Sequence, residues 1–553
     1  MTKSPKQAPL RGASKRAGVP PRDPVRKREG TPKPAGVPPH DPVRKREGTP
    51  KRAGVPPHDP VRKREGAPKR DPSGQREGAG KHVSLSKRGS GRATGLSQIV
   101  REDRVRAATL EILGHVLEEG QLADRALARV LRREDSLWSG ERRAVAEAVY
   151  GLLRRESALR QAIERGLHGP LSNFATTDRL NVLLAGHLQI EGKQTSTASL
   201  PLPLREALLS LRADLDADLA AAAERGGPAE AALAHSLPEW LATQVAEEIG
   251  ADETFALFAA LNRRAPLTLR TNLLKGSREA LLADLATGGV PCRPTPLSPW
   301  GVFIDSNVNA FAQPAFKEGR FELQDEGSQL LALLCRARPG QRVVDACAGG
   351  GGKSLALAAE MHNRGELWAL DVHEKRLDQL KPRARRAGAS NIRSVPIPER
   401  GPLPDKLAPL LGHADLVLVD APCSGIGALR RNPDARRRLS PESIAEQAQQ
   451  QLAILSRMAA LVKTGGLLVY ATCSVLRAED EAIVEAFLAG HPDFASAPTR
   501  ELLGPSLADA IEAPLVGRPP GLQSATGLRL WPQRHGTDGF FGAGLRRRSV
   551  PQR

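Results

Sequence analysis

Cysteine is rare in this chain of 553 residues: Cys292, Cys335, Cys347, Cys423 and Cys473 are all there are. None stands in a CxxC or Cys/His spacing, which speaks against a metal site. No apolar run reaches the ~18 residues that a membrane span needs, so no membrane partner is expected. The opening Met1-Thr2-Lys3-Ser4-Pro5-Lys6 does not lead into the apolar stretch of a secretory signal. Free thiols in a reducing, cytoplasmic setting are the expectation. Aromatic residues make up only 3%, a scarcity that suits helices packed through Ala and Leu. Net charge is also missing from most of the chain. Residues 1–100 hold 25 Lys and Arg against 8 Asp and Glu, a net +17 of the total +19, which leaves +2 for residues 101–553.

That charged segment, residues 1–100, contains a repeat. Lys15-Arg16-Ala17-Gly18-Val19-Pro20-Pro21-Arg22-Asp23-Pro24-Val25-Arg26-Lys27-Arg28-Glu29-Gly30-Thr31-Pro32 recurs almost unchanged at 33–50 and 51–68. Proline is frequent in it and apolar side chains are nearly absent, so burial cannot offset the entropy of ordering it. A disordered basic arm is expected. Two readings stay open for it: an electrostatic tether to RNA, whose grip would fall with salt, or a solubilising extension.

The remaining length suggests about three folded units at roughly 100–200 residues each. Residues 101–235 read as a helical bundle. Ala107, Leu110, Leu113 and Val116 share one predicted face, Ala126, Leu127, Val130 and Leu131 another, and Ser139 is placed to cap a run containing Val145, Ala148, Val149 and Leu152. Helical spacing continues over 157–166, 178–190, 203–224, 229–235 and 237–261. Residues 236–330 end as a small α+β module, with strands at Leu267–Thr271 and Gly301–Asp305, a helix at 277–287, and a strand-to-helix passage at Gly319–Gln329. Arg270 and Asn272 could contact phosphate and base, although a lone basic strand residue is more often solvated surface.

Residues 331–545 carry the chemistry. Leu416-Val417-Leu418-Val419-Asp420 is a short apolar run closed by Ala421-Pro422-Cys423-Ser424-Gly425, the pattern of a buried parallel strand that opens into a loop. Leu467-Leu468-Val469-Tyr470-Ala471-Thr472-Cys473-Ser474 repeats the design. Ligands of open α/β sheets bind beyond such strand ends. Upstream, Arg342-Val343-Val344-Asp345 enters Ala346-Cys347-Ala348-Gly349-Gly350-Gly351-Gly352-Lys353-Ser354, where backbone N–H groups can approach a ligand unobstructed. Gly352-Lys353-Ser354 matches the end of a P-loop, but that loop requires glycine where Cys347 stands. Asp371, which ends Leu367-Trp368-Ala369-Leu370, instead favours a nucleoside cofactor gripped through its ribose hydroxyls. Further on, Ile444–Leu461 and 478–490 read as helices. Residues 528–541 read as the hairpin forming an antiparallel edge, with His535 and Asp538 serving turn chemistry, while 500–526 finds no place.

Taken together, Asp345 to Lys353, Asp371, Asp420 to Gly425 and Thr472-Cys473-Ser474 resemble the Sun family of S-adenosylmethionine-dependent RNA cytosine-5 methyltransferases, over roughly residues 265–545. The segment from Arg106 to Ile163, with Asp124 and Glu147-Tyr150-Gly151-Leu152-Leu153-Arg154, resembles the NusB-like RNA-binding domain that precedes it in the bacterial branch acting on small-subunit ribosomal RNA. The resemblance implies an α/β fold: a Rossmann-like class I methyltransferase domain preceded by an all-α NusB-like bundle and the α+β module. It implies S-adenosylmethionine held by Cys347, Ala348, Gly349, Gly350, Gly351, Gly352, Lys353, Asp371 and Asp420. It also implies Cys473 as nucleophile, Cys423 in product release, and Asp420 and Lys353 as their catalytic neighbours. Ribosomal RNA is the foremost expected partner, transfer RNA the next, and a monomer the expected state. Two departures stand out. Gly350 replaces a proline, which should loosen the loop, and Val395-Pro396-Ile397-Pro398 lacks an acid expected to contact adenine. The rival readings are a P-loop nucleotide hydrolase and a catalytically silent RNA-binding assembly factor.

Overall fold

The structure is a computed structural model and describes residues 95–306, 308–513 and 526–549. The repeat arm therefore lies outside the described residues, apart from its last few positions, as do residues 514–525 of the unassigned stretch. All described residues belong to one unit, Arg88–Arg553.

Helices fill the first part: Ser97–Arg101, Asp103–Leu117, Ala123–Arg133, Ser139–Leu153, Glu156–Leu167, Thr176–Ile190 and Leu202–Arg225. Their inward faces form one apolar core that includes Val105, Ile112, Val149, Leu152, Leu184 and Leu211. Of the first predicted face, Leu113 and Val116 are buried and Leu110 half-buried, but Ala107 is exposed, and Val105, Ala108 and Ile112 also point inward. Small and apolar residues occur on both sides of that helix, so spacing alone does not fix its rotation. Ser139 is the first helical residue rather than the cap, and Glu141 closes the turn by accepting from the Trp138 N–H at 3.0 Å.

The expected single helix at 237–261 is two, Glu239–Ile249 and Ala251–Asn262, broken at Gly250, whose φ of 82° ends the helical path. With Pro228–His235 these helices build a separate core in which Leu241, Val245 and Phe258 pack on Ile426, Leu429, Val475 and Leu476. Those four partners follow Cys423 and Cys473 in sequence, so this small core braces both cysteine loops.

Four strands make the next sheet: β1 (Leu267–Thr271), β2 (Cys292–Pro294), β3 (Gly301–Ile304) and β4 (Phe321–Leu323), ordered β2-β3-β1-β4 and all antiparallel. Its helix Arg278–Thr287 is capped by Ser277, whose hydroxyl accepts from the Ala280 N–H. The large sheet contains β5 (Arg342–Asp345), β6 (Glu366–Asp371), β7 (Ile392–Pro396), β8 (Ala414–Asp420), β9 (Val462–Thr472), β10 (Phe494–Ala497), β11 (Leu528–Leu530) and β12 (Phe540–Arg547). Its order is β10-β12-β9-β8-β5-β6-β7, with β11 paired to β12. Strands β7, β6, β5, β8 and β9 run parallel, which brings Asp345, Asp371, Asp420 and Thr472 to one rim. The unbroken run in β8 follows from its position, since Leu416 and Leu418 face one apolar core and Val417 and Val419 the other.

One expectation is corrected here. The antiparallel strand β12 is not the edge: it lies between β9 and β10, and Phe494–Ala497 takes the edge. A four-residue strand with alternating small residues leaves too weak a pattern to be read. Part of the unassigned stretch also gains structure, as helices Thr499–Leu503 and Pro505–Glu512. Among the described residues no helix is long and apolar enough to cross a membrane.

Candidate active site

The glycine loop leaves β5 and enters the helix Gly352–Glu360. Gly349 and Gly351 have φ of 54° and 83°, and a Cβ on Gly351 would sit 2.1 Å from Leu380 Cδ1, so neither can carry a side chain cheaply. The N–H of Gly349 donates to Asp371 Oδ2 at 2.8 Å, and the N–H of His373 donates to Oδ1 at 2.7 Å. Asp371 is thereby aimed across the loop from the end of β6. Below it, Ser354 Oγ donates to Asp345 Oδ2 at 2.6 Å, while Asp345 Oδ1 is buried with no partner among the described residues. Burial pushes the Asp345 carboxyl up to about 7 against the pull of that hydrogen bond. The half-buried Cys347 thiol is raised as well, by burial and then by Asp345, Asp420 and Asp371.

Two arginines tie the loop down around Gly350. Arg383 donates to its carbonyl at 2.5 Å, and Arg270 donates to the Gly352 carbonyl at 2.6 Å. Glu322 on β4 anchors Arg383 at 3.0 Å and Arg386 beside it. Arg270 and Asn272 are thus neither solvated nor free for RNA. Arg270 is buried against the loop, and Asn272 Nδ2 donates to the carbonyls of Gly319 and Ala387, both at 2.7 Å. The α+β module clamps the glycine loop through Arg270, a contact between residues 82 apart in sequence that no local pattern reveals, and through Glu322 by way of Arg383. Ile397, where an acid was expected, is buried in one of the sheet's apolar cores.

At the next strand ends the two thiols meet. Cys423 Sγ lies 3.4 Å from Cys473 Sγ. Their hydrogen bond, then burial, raises the Cys423 thiol well above its ordinary value, so Cys423 keeps its proton. Lys353 Nζ donates to Asp420 Oδ2 at 2.7 Å and lies 5.7 Å from the centre of the Phe540 ring. Burial opposes the Lys353 charge, but Asp420, with smaller help from Cys473, raises its pKa on balance. Lys353 therefore reaches the site as a cation paired with Asp420.

Supporting residues were missed in the sequence. Arg430 and Arg431 both hold Asp325 and Asp538, with Arg431 at 2.7 Å and 2.5 Å, and so join the Cys423 loop to the cap of the helix Glu326–Leu334 and to the segment before β12. Asp538 is a buried ion-pair partner, not a turn residue. His535 does act locally, its Nδ1 accepting from the Trp531 N–H at 2.8 Å. Among the described residues no group of His, Cys, Asp and Glu is arranged to hold a metal.

Comparison with known proteins settles the family. The family described as 16S rRNA methyltransferase RsmB/F matches residues 332–546, and its ferredoxin-like domain matches residues 237–310. The ribosomal RNA small subunit methyltransferase B of Xanthomonas campestris is 30% identical over 443 residues, covering 79% of this chain and 95% of that protein. The chain belongs to the RsmB/F methyltransferase family. A second RsmB/F relative, a probable ribosomal RNA small subunit methyltransferase B from Synechocystis, is 34% identical over 314 residues, 57% of this chain and 67% of its own length. The crystal structure of PH0851 superposes with a TM-score of 0.62 at 26% identity, covering 80% of this chain and 98% of that one. Membership agrees with the resemblance read from the glycine loop and the two cysteine motifs. It leaves the P-loop hydrolase without support.

Proposed function

We propose that this methyltransferase moves a methyl group from S-adenosylmethionine to carbon 5 of a cytosine in ribosomal RNA, through a covalent bond to Cys473. The observation that carries the reading is the pair of sulfurs 3.4 Å apart at adjacent strand ends. The rim fits the methyl donor. Asp371 offers a carboxylate to ribose hydroxyls, the glycine loop leaves open backbone, and the unpartnered Asp345 oxygen can accept from a bound group. When bound there, S-adenosylmethionine supplies an electrophilic methyl group.

Carbon 5 of cytosine is a weak nucleophile. Addition of the Cys473 thiolate to carbon 6 pushes the ring electrons onto carbon 5, which can then take the methyl group. Removal of the carbon 5 proton afterwards returns the electrons to the ring and expels the sulfur. Asp420, held by Lys353, stands where it can hydrogen-bond the cytosine and steady the charge of the adduct. Once Cys473 is bonded to carbon 6, the hydrogen bond that raises the Cys423 thiol is lost, and Cys423, ionised at that stage, takes the carbon 5 proton and so allows release. The target base must be unpaired or flipped to reach this depth, which is least costly in a loop. The names of the relatives favour small-subunit ribosomal RNA over transfer RNA. The helical bundle is assigned to RNA binding, with the enzyme acting as a cytoplasmic monomer.

Incubating variants with RNA and S-adenosylmethionine, then resolving them on a denaturing gel, tests the mechanism. Cys473→Ala should neither methylate nor form an adduct, whereas Cys423→Ala should accumulate a slow-migrating protein–RNA species. Full activity in both variants would end the cysteine mechanism, and an adduct with Cys473→Ala alone would exchange the two roles.

A further inference from the structure

Cys423 and Cys473 sit on loops after different strands, and no covalent link fixes their separation. Both loops are instead tied to one carboxylate. Ser424, next to Cys423, donates its N–H to Glu479 Oε1 at 2.8 Å and its hydroxyl to Oε2 at 2.5 Å. Ser474, next to Cys473, donates its hydroxyl to the same Oε2 at 2.6 Å. Gln451 Nε2 donates to Glu479 Oε1 and to the carbonyl of Pro422, both at 3.0 Å, and so holds the other neighbour of Cys423. Thr472, the other neighbour of Cys473, donates to Asp480 Oδ1 at 2.5 Å. Tyr470 completes the hub, its hydroxyl lying 3.1 Å from Gln451 Oε1 and 2.5 Å from the Glu479 carbonyl. Glu479, Gln451 and Tyr470 are fully buried, so this carboxylate sits behind the rim and faces protein donors on every side.

We propose that Glu479 is a positioning residue that sets the spacing of the two active-site thiols by holding Ser424 and Ser474 on one carboxylate. A carboxylate accepts at both oxygens, and four donors from three segments converge on it here. No neutral side chain of that size accepts all four, because an amide would turn N–H groups toward two of them. The proposal rests on the cysteine mechanism above for its catalytic consequence, but the spacing itself can be measured without it.

The test uses Glu479→Gln, with Ser424→Ala and Ser474→Ala as milder variants that keep the carboxylate. Two readouts are needed. One is the single-turnover methylation rate at saturating RNA and S-adenosylmethionine. The other is the rate at which diamide, a two-electron oxidant that is reduced to its hydrazine, closes the Cys423–Cys473 disulfide, followed by the loss of two hydrogens in the mass of the linking peptide. Glu479→Gln should lower both rates, methylation by about 100-fold as for a reacting group displaced by an ångström, while binding of RNA and of S-adenosylmethionine stays within twofold. Each serine variant should lower both rates by about three- to tenfold, as expected for loss of one tether to a reacting group. Slower methylation with unchanged disulfide closure would overturn the spacing role, as would wild-type behaviour in all three variants. If Glu479→Gln fails to fold, the two serine variants decide. Slower disulfide closure in Glu479→Gln, together with full methylation by Cys423→Ala and by Cys473→Ala, would uphold the spacing and remove the mechanism.

Discussion

The helical bundle and the carboxyl rim of the large sheet treat burial in opposite ways. In the apolar core of the bundle, burial removes the charge of a histidine. His187 lies in the core with both ring nitrogens unpartnered among the described residues, and burial, then Arg155 and Arg154, push its pKa to about 3. Around the rim, apart from the raised Asp345 carboxyl, buried charges are kept in pairs: Lys353 with Asp420, Arg383 and Arg386 with Glu322, Arg430 and Arg431 with Asp325 and Asp538. A core without charge resists unfolding and does little else. Charges held in place by their neighbours are where proton and electron movements can be directed. The two regions should therefore fail differently when altered.

The largest separation is expected from Asp420→Asn. It keeps shape and removes the charge beside Lys353, and should lower single-turnover methylation by about 10²–10³-fold, beyond the loss of thermal stability that follows from leaving a buried cation without its partner. A rate within threefold of wild type would take Asp420 out of the mechanism. Leu184→Ala makes the opposite cut. Leu184 is fully buried in the bundle, so its truncation should cost about 2–5 kcal/mol of stability in urea and leave the methylation rate unchanged well below the unfolding temperature. A matching fall in rate would show that the bundle core is coupled to chemistry.

Asp371→Ala should have an intermediate effect. Titration calorimetry should find S-adenosylmethionine bound more weakly by about 1–3 kcal/mol, the cost of leaving hydroxyls and the Gly349 N–H without an acceptor. Unchanged affinity would show that the ribose is held elsewhere.

The smallest effect concerns His187. Its folded pKa lies below the unfolded value of 6.5, so the unfolded chain binds the extra proton, and stability drops as pH falls from about 6.5 toward 3, by at most ~1.4 kcal/mol per pH unit. Urea titrations at pH 7 and pH 5 should show a smaller drop in His187→Leu than in wild type. An equal drop in both would mean that the imidazole is not kept neutral.

Local sequence carried much of the candidate site because its residues stand at or just past the ends of their strands. Asp371, Asp420 and Cys473 all follow short apolar runs, and a parallel sheet brings such strand ends to one rim. The helices of the bundle were readable wherever apolar spacing was unambiguous, as at Val145, Ala148, Val149 and Leu152. Where alanine stood on both sides of a helix, as around Ala107, the periodicity could not choose a face. The short edge strand at Phe494–Ala497 offered too few residues to show any alternation.

What the chain determined by itself is the order of elements, the glycine loop, and the motifs that place two cysteines at neighbouring strand ends, since these depend on residues a few positions apart. Tertiary structure alone decided what holds them. Arg270 reaches the Gly352 carbonyl across 82 residues, Arg431 joins Asp325 across 106, and Glu479 gathers Ser424 from 55 residues away and Ser474 from five. Hydrogen bonds and ion pairs of this kind have no period and no preferred spacing. They exist only once the sheet has brought their partners within reach, and so a buried arginine or glutamate looks, in sequence, like any charge on a surface.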